Sequence, residues 1–101
     1  MSRTAVTVVR VYLTEGSGKL PGLMRYLHDE SKVHGVTVFR GITGFGRSGK
    51  LHSSSLLDMS LDLPVVIEFF DAPERVEEIL RHLEGEIESG HVVSWSAYVS
   101  A

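Results

Sequence analysis

The chain has 101 residues, the size of one ordinary domain, and its formal charge of −3 includes no long block of one sign, so a broad basic surface for nucleic acid is absent. Apolar residues make up 43% of it and charged residues 23%, which is the composition of a globular chain rather than a disordered one. The absence of cysteine excludes disulfides, thiolate metal sites and a cysteine nucleophile, and it agrees with a reducing cytoplasm.

The first predicted elements are a strand and a helix. The strand covers residues 6–13, "VTVVRVYL", which are rich in β-branched side chains and end at the turn-forming "TEGSG". The helix covers residues 20–33, where apolar side chains recur at helical spacing. Pro21 stands in its first turn, where the missing N–H costs nothing, and Gly35 follows its end.

The rest of the chain adds three strands and one helix. Strands are predicted at residues 36–42, "VTVFRGI", at 92–99, "VVSWSAYV", and between them most clearly at 65–70. The second helix opens with Asp71 as N-cap and Glu74 three residues later, which is the spacing of a capping box. The order βαββαβ predicts an α+β, ferredoxin-like fold, in which a four-stranded antiparallel sheet carries both helices on one face. Every apolar run is far shorter than the roughly 20 residues that span a bilayer, so we expect no membrane insertion. The N-terminus "MSRTAVTVVRVYL" runs straight into a strand pattern, so we expect no signal peptide.

The strands are apolar on both faces, although helices would cover only one. In the first strand one face has Val6, Val8 and Tyr12 and the other has Val9, Val11 and Leu13. Since large exposed apolar patches mark interfaces, the pattern predicts self-association. Arg10, Arg40 and Glu68 interrupt the strands, and we expect them to form solvated edges or paired interface charges rather than a ligand site.

The glycine-rich stretch "GITGFGRSGKLHSS", residues 41–54, contains all of a phosphate-binding P-loop, G-x-x-x-x-G-K-[ST], except its last letter. Leu51 replaces the hydroxyl residue that binds magnesium, and the stretch joins two strands instead of leading into a helix. The pattern therefore does not indicate a P-loop. Residues 46–62 are too many for a plain hairpin, so an extended loop, functional or disordered, is expected.

The sequence offers no catalytic or metal motif. Its five histidines show no H-x-x-x-H spacing, so a metal site within one chain is not expected, although one shared between subunits stays open. His52 beside the serines at 53–55 has no fixed geometry for nucleophilic catalysis and is expected to be a solvated loop residue.

Two segments, "GVTVFRGITGFGRSGKLH" and "LPVVIEFFDAPERVEEIL", closely resemble a bacterial and archaeal family of uncharacterised PII-like proteins, over residues 6–99. That family is similar to PII signal transducers and more distantly to CutA proteins, which are trimers of ferredoxin-like chains. The resemblance implies a cytoplasmic homotrimer with the uncovered sheet face around a threefold axis. It also implies a signalling protein rather than an enzyme, binding a small effector in the cleft between subunits.

The resemblance further implies particular site residues. In PII proteins a similar "GFGR" leads into a flexible partner-binding T-loop, and adenine nucleotides bind beside the base of that loop. Carried over, Arg47 would contact phosphate, residues 47–61 would be the T-loop equivalent, and Lys50 and His52 would touch the partner. The implied ligand-binding residues are Gly41, Gly44, Phe45, Gly46, Arg47 and Gly90.

The chain departs from PII proteins in its cations. The second glycine loop, which carries a lysine in PII, corresponds here to "EIESGHVV", with Gly90 as its one glycine, and "SWSAYVSA" has no arginine. Because a triphosphate would be poorly neutralised, AMP, another small anion or no nucleotide is favoured over ATP. Relatives often accompany fluoride channels, so the resemblance implies a membrane transporter or channel as the regulatory target.

Two other functions remain open. One is a dimeric α+β barrel enzyme of the small monooxygenase or isomerase kind, which uses the same βαββαβ chain and for which His28 or His34 would be candidate catalytic residues. The other is a CutA-like metal-binding trimer.

Overall fold

A computed structural model describes residues 2–46, 48–53 and 62–101, with backbone only at 51–53. A short 3₁₀ turn, Glu15–Ser17, follows the first strand, and a π-helical segment, Tyr26–Glu30, continues the first helix. The elements are β1 (Arg3–Thr14), α1 (Leu20–Arg25), β2 (Val36–Arg40), β3 (Thr43–Phe45), β4 (Leu51–Ser53), β5 (Pro64–Asp71), α2 (Pro73–Glu84) and β6 (Val92–Ser100).

Four strands form one antiparallel sheet in the order β2-β5-β1-β6, and β3 and β4 form a separate hairpin. The strand β1 pairs with β5 on one side and with β6 on the other. The predicted fold class is confirmed. Directly opposite residues share a face of the sheet, so the register places Arg10 beside both Glu68 and Val93.

One face of the sheet packs against both helices. Alternation points Val9, Val11 and Leu13 of β1 toward them, and Val65, Ile67 and Phe69 of β5 do the same. The helices meet these side chains with an apolar stripe at helical spacing: Leu23, Leu27, Val76, Ile79 and Leu83. Each fully buried side chain of this kind stabilises the fold by about 1.5–3 kcal/mol, which makes this layer the main source of stability.

The first helix ends earlier than predicted. Its α-helical part stops at Arg25, and the π-helical segment closes with Ser31 N donating to Tyr26 O at 2.9 Å. Lys32 then has a left-handed backbone, with φ of 54°, which stops the helix. The helix was predicted to extend to Val33 because that side chain is apolar, and it does pack against the core from outside the helix.

The predicted N-cap of the second helix was wrong by one residue. Ala72 is the N-cap, makes no side-chain cap hydrogen bond, and precedes Pro73 in the first turn. Asp71 is still part of β5, paired with Thr7, so its backbone belongs to the sheet. Its carboxylate accepts a hydrogen bond from Ala72 N at 2.7 Å and lies 3.1 Å from Arg75 Nε.

The second strand also ends earlier than predicted, at Arg40, because Gly41 N donates to Pro64 O at 2.7 Å and redirects the chain. The expectation of one extended loop after it was wrong in part, since Phe45 pairs with Leu51 in the hairpin. Of the predicted partner loop, residues 47 and 54–61 lie outside the described ranges. No helix within the described ranges is both long and apolar enough to cross a membrane.

Replacing Lys32 by glycine should raise the free energy of unfolding by about 1 kcal/mol. A left-handed residue with a Cβ costs about 1–2 kcal/mol relative to glycine, and glycine's greater freedom in the unfolded chain offsets part of that gain. Urea unfolding followed by circular dichroism measures the change. Lys32→Ala removes the same side chain but keeps the Cβ, so it should change stability by less than about 0.5 kcal/mol. Equal stabilisation by both variants would contradict the backbone explanation.

Candidate functional site

The second face of the sheet, which the helices leave uncovered, has an ion pair at its centre and aromatic side chains around it. Arg10 Nε lies 2.7 Å from Glu68 Oε1, and this hydrogen bond is the main cause that raises the pKa of Arg10. The guanidinium also lies 5.8 Å from the ring centre of Trp95 and 5.9 Å from that of Phe39. Five large apolar side chains of this open face are between 41% and 47% exposed: Tyr12, Phe39, Phe70, Val93 and Trp95.

All three charges that interrupt the strands are paired. Besides Arg10 and Glu68, Arg40 binds the Glu15 carboxylate through both Nε and Nη2, the latter at 3.0 Å from Oε2. This hydrogen bonding is the main cause that raises the pKa of Arg40. Of the two predicted arrangements, solvated edges or paired interface charges, the structure shows the pairing, and a place in an interface stays a prediction. The Arg40 pair joins the end of β2 to the turn after β1.

A groove of about 830 Å³ lies where the glycine loop base meets the end of β1. Four predicted ligand residues line it: Gly41, Gly44, Phe45 and Gly46. Arg47 lies outside the described residues. The groove is also lined by residues from four other parts of the chain: Tyr12, Leu13, Thr14, Ser17, Lys19, Pro64, Val65, Val66, Glu88 and His91.

The other predicted site residues are not among those that line the groove. Gly90 precedes a lining residue and has a positive φ of 91°, so it serves the turn into β6. Lys50 is exposed and does not border the groove, and its role on a partner loop stays a prediction. His52 is described only by its backbone, which pairs with Gly44.

Pro64 explains two glycines of the loop base, Gly41 and Gly44. A Cβ at Gly41 would lie 2.7 Å from Pro64 Cγ and 3.3 Å from Pro64 O, and a Cβ at Gly44 would lie 3.2 Å from Pro64 Cγ. A Cβ at Gly46 would meet nothing within 4 Å. The loop base can therefore lie against the start of β5 only because two of its residues have no side chain.

His91 and Glu88 were not predicted as site residues. Tyr12 N donates to His91 O and His91 Nδ1 contacts Tyr12 O, both at 2.8 Å. Because a carbonyl oxygen only accepts hydrogen bonds, Nδ1 of His91 carries the hydrogen. The other ring nitrogen, Nε2, remains for another partner and lies 3.7 Å from Glu88 Oε2. The "SGH" turn was the sequence feature that could have indicated His91. Its contact with Tyr12 joins residues 79 positions apart, which the sequence does not report.

A second groove, of about 600 Å³, lies between the two helices. Tyr26 stacks there on His82, with ring centres 3.7 Å apart and planes 7° from parallel, and burial raises the pKa of Tyr26. The histidines proposed for a barrel enzyme do not line it. His28 has an 88% exposed side chain next to Asp29, and His34 is exposed too. In the described part of the chain no three histidine or carboxylate side chains are grouped to hold a metal.

Comparisons with known sequences place the chain among uncharacterised proteins. The DUF190 family profile, described as "Uncharacterized ACR", matches residues 6–99. A UPF0166 protein of Methanocaldococcus jannaschii is 32% identical over 81 residues, which cover 75% of this chain and 73% of that protein. Matches to UPF0166 proteins of Aquifex aeolicus are 33% identical, one covering 73% of this chain and 75% of the relative. The other covers 60% of this chain and spans 61% of the relative's length.

Solved structures with the same fold are described as PII-like. CPII, a nitrogen regulatory PII-like protein from Thiomonas intermedia K12, bound to ADP, AMP and bicarbonate, has a TM-score of 0.78 at 19% identity, over 99% of this chain and 92% of that one. Its structure with ADP and bicarbonate has a TM-score of 0.75 at 20% identity, over 99% and 93%. A protein of Thermus thermophilus, described as a PII-like signaling protein, has a TM-score of 0.67 at 17% identity, over 98% and 91%. The expected PII-like fold is confirmed.

Gly41→Ala should lower the free energy of unfolding by about 1–3 kcal/mol, because the new methyl group would overpack against Pro64. Gly46→Ala is the matched control and should cost less than about 0.5 kcal/mol, since its Cβ would lie in open space. Urea unfolding of both variants measures the difference. If the two variants were equally stable, Pro64 would not be the reason for the glycine at 41.

Proposed function

The chain belongs to the DUF190 family, and from this premise we propose that it is a PII-like regulator rather than an enzyme, which binds an adenine nucleotide such as AMP in the groove beside the glycine loop base. One observation carries the proposal: the glycine loop base lines a concave groove. Because glycines have no side chains, a ligand can approach their backbone closely. The exposed aromatic side chains of Tyr12 and Phe45 in the same groove provide surface for a base.

The nucleotide class is supported by the similar solved structures. CPII of Thiomonas intermedia K12, which has this fold, is described with ADP and AMP bound. In this chain Arg47 adjoins the loop base and is proposed to bind the phosphate, as an arginine does by a charge-assisted pair. The "SGH" turn has no lysine and Glu88 adds a negative charge to the groove, so a monophosphate is favoured over a triphosphate.

The protein is proposed to act as a homotrimer in the cytoplasm. The open face, with Phe39 and Trp95 around the pair of Arg10 and Glu68, is a large aromatic surface that the helices do not cover. Packing three such faces around a common axis would remove this surface from water, at about 25 cal/mol for each Å² of apolar area buried. It would also bring a neighbouring subunit to the edge of each groove.

The loop that follows the base is proposed to contact a partner protein, with Lys50 and His52 among the contacting residues. Ligand contacts at residues 44–47 would favour one conformation of that loop, which is an order–disorder switch. The partner is proposed to be a membrane transporter or channel, of the fluoride-channel type.

Calorimetric titration with AMP tests the ligand proposal. The wild-type chain should release or absorb heat on binding AMP, and Arg47→Ala should weaken the affinity about 10- to 100-fold, the effect of losing a charged hydrogen bond worth about 1.5–3 kcal/mol. Arg81→Ala is the matched control, because Arg81 is an exposed arginine of α2 outside the groove. Absence of heat for AMP, ADP, ATP and cyclic AMP would contradict nucleotide binding. Unchanged affinity in Arg47→Ala would contradict only the phosphate contact.

Light scattering tests the trimer. The wild-type chain should have three chain masses, and Trp95→Glu should lower this mass, because it buries a new carboxylate in the proposed interface. Tyr98→Glu is the matched control on the same strand. Tyr98 pairs with Ala5 and points to the other face of the sheet, so this variant should remain a trimer. A wild-type mass of one or two chains would contradict the proposed assembly.

A further inference from the structure

The turn between β1 and α1 provides the groove with a cation, Lys19. Its sequence "EGSGKL" ends in Lys19, which lines the same groove as Gly44 and Gly46. Among the described residues that line the groove, Lys19 is the only permanent cation. We infer that Lys19 binds the phosphate group of the ligand, an inference that rests on the proposed nucleotide-binding function.

The ammonium group of Lys19 has capacity left for a ligand. Nζ donates one hydrogen bond, to the backbone oxygen of Glu86 at 2.8 Å. No carboxylate of the described residues forms an ion pair with it, and an ammonium has three N–H donors. Two of its N–H donors therefore remain for a ligand, while the bond to Glu86 restrains the end of the side chain.

The turn that carries Lys19 is fixed relative to the glycine loop base. Glu15 N donates to Leu63 O at 2.9 Å, and Gly41 N donates to the next carbonyl, Pro64 O, at 2.7 Å. The two sides of the groove are thus attached to adjacent residues of one segment. The ion pair of Arg40 with Glu15 joins them a second time and neutralises the carboxylate of the turn.

Lys19 borders the groove between the helices as well, and charge decides which of the two an anion would enter. The helix groove is lined by three carboxylates, those of Asp29, Glu30 and Glu86, against Lys19 and Arg25. The groove at the loop base has one carboxylate, Glu88, near the same lysine. Like charges repel a phosphate more strongly in the helix groove, so the loop-base groove is the anion site.

The same charges limit the ligand to a small anion. The charges of Lys19 and Glu88 cancel, so the described lining residues leave no surplus of positive charge for a chain of three phosphates. The expected ligand class is therefore a nucleoside monophosphate, with its phosphate at the end of the groove where Lys19 lies.

The test compares AMP with adenosine, which lacks the phosphate, in calorimetric titrations of Lys19→Gln. The variant should bind AMP about 10-fold more weakly and adenosine as the wild type does, and Lys19→Arg should restore most of the AMP affinity. Lys32→Gln is the matched control, since Lys32 does not line the groove, and it should bind both ligands normally. In the wild type with ¹³C-labelled lysine, the ε-carbon resonance that Lys19→Gln removes should shift with AMP and not with adenosine.

The outcomes separate this inference from the function on which it rests. Unchanged AMP affinity in Lys19→Gln, or equal losses for AMP and adenosine, would overturn the role of Lys19 while nucleotide binding stood. Equal wild-type affinities for AMP and adenosine would overturn it too, because no phosphate contact would exist. If the wild type bound neither AMP nor adenosine, both the inference and the proposed function would be wrong.

Discussion

The structure depends on one constraint: two helices cover only one face of a four-stranded sheet whose strands are apolar on both. The covered face buries Val9, Ile67 and Phe69 and provides the main core. The open face leaves Trp95 and Phe39 partly exposed around a paired arginine and glutamate. A single chain cannot remove this surface from water, so the strand pattern that forms the fold is also the reason for proposing self-association. The ion pair at its centre lets two charged side chains lie in an apolar face without either being left unpaired.

The candidate site depends on a second, more local feature, the segment of Leu63 and Pro64 at the start of β5. Carbonyl groups of these adjacent residues accept hydrogen bonds from the turn after β1 and from Gly41. The Pro64 ring lies where a side chain at 41 would be, so glycine is required there for steric reasons. The groove therefore has walls from the glycine loop base and from four other parts of the sequence. Such a site is positioned by the sheet even though its lining residues lie on turns.

The sequence alone was sufficient for the fold but not for the site. Strand and helix periodicity placed the four main strands and both helices, because the apolar pattern of each reports directly which face is buried. It misplaced the end of the first helix, since Val33 packs in the core from a non-helical backbone. It also missed the β3–β4 hairpin, which glycine-rich residues form without an apolar signal. Lys19 and His91 were missed because their contacts, to Glu86 and Tyr12, join residues 67 and 79 positions apart, and no spacing rule reports such pairs.

Assembly through the open face is the central proposal, because it would bring a neighbouring subunit to the edge of the groove. Trp95 is the one tryptophan of the chain and lies on that face, so its fluorescence reports directly on the claim. The most direct measurement is acrylamide quenching of the wild-type protein over a range of concentrations, with the mass followed in parallel. The account predicts that Trp95 is protected at high concentration and becomes accessible as the assembly dissociates on dilution. Equal and strong quenching at every concentration, including those where the protein is associated, would show that the open face is not the interface.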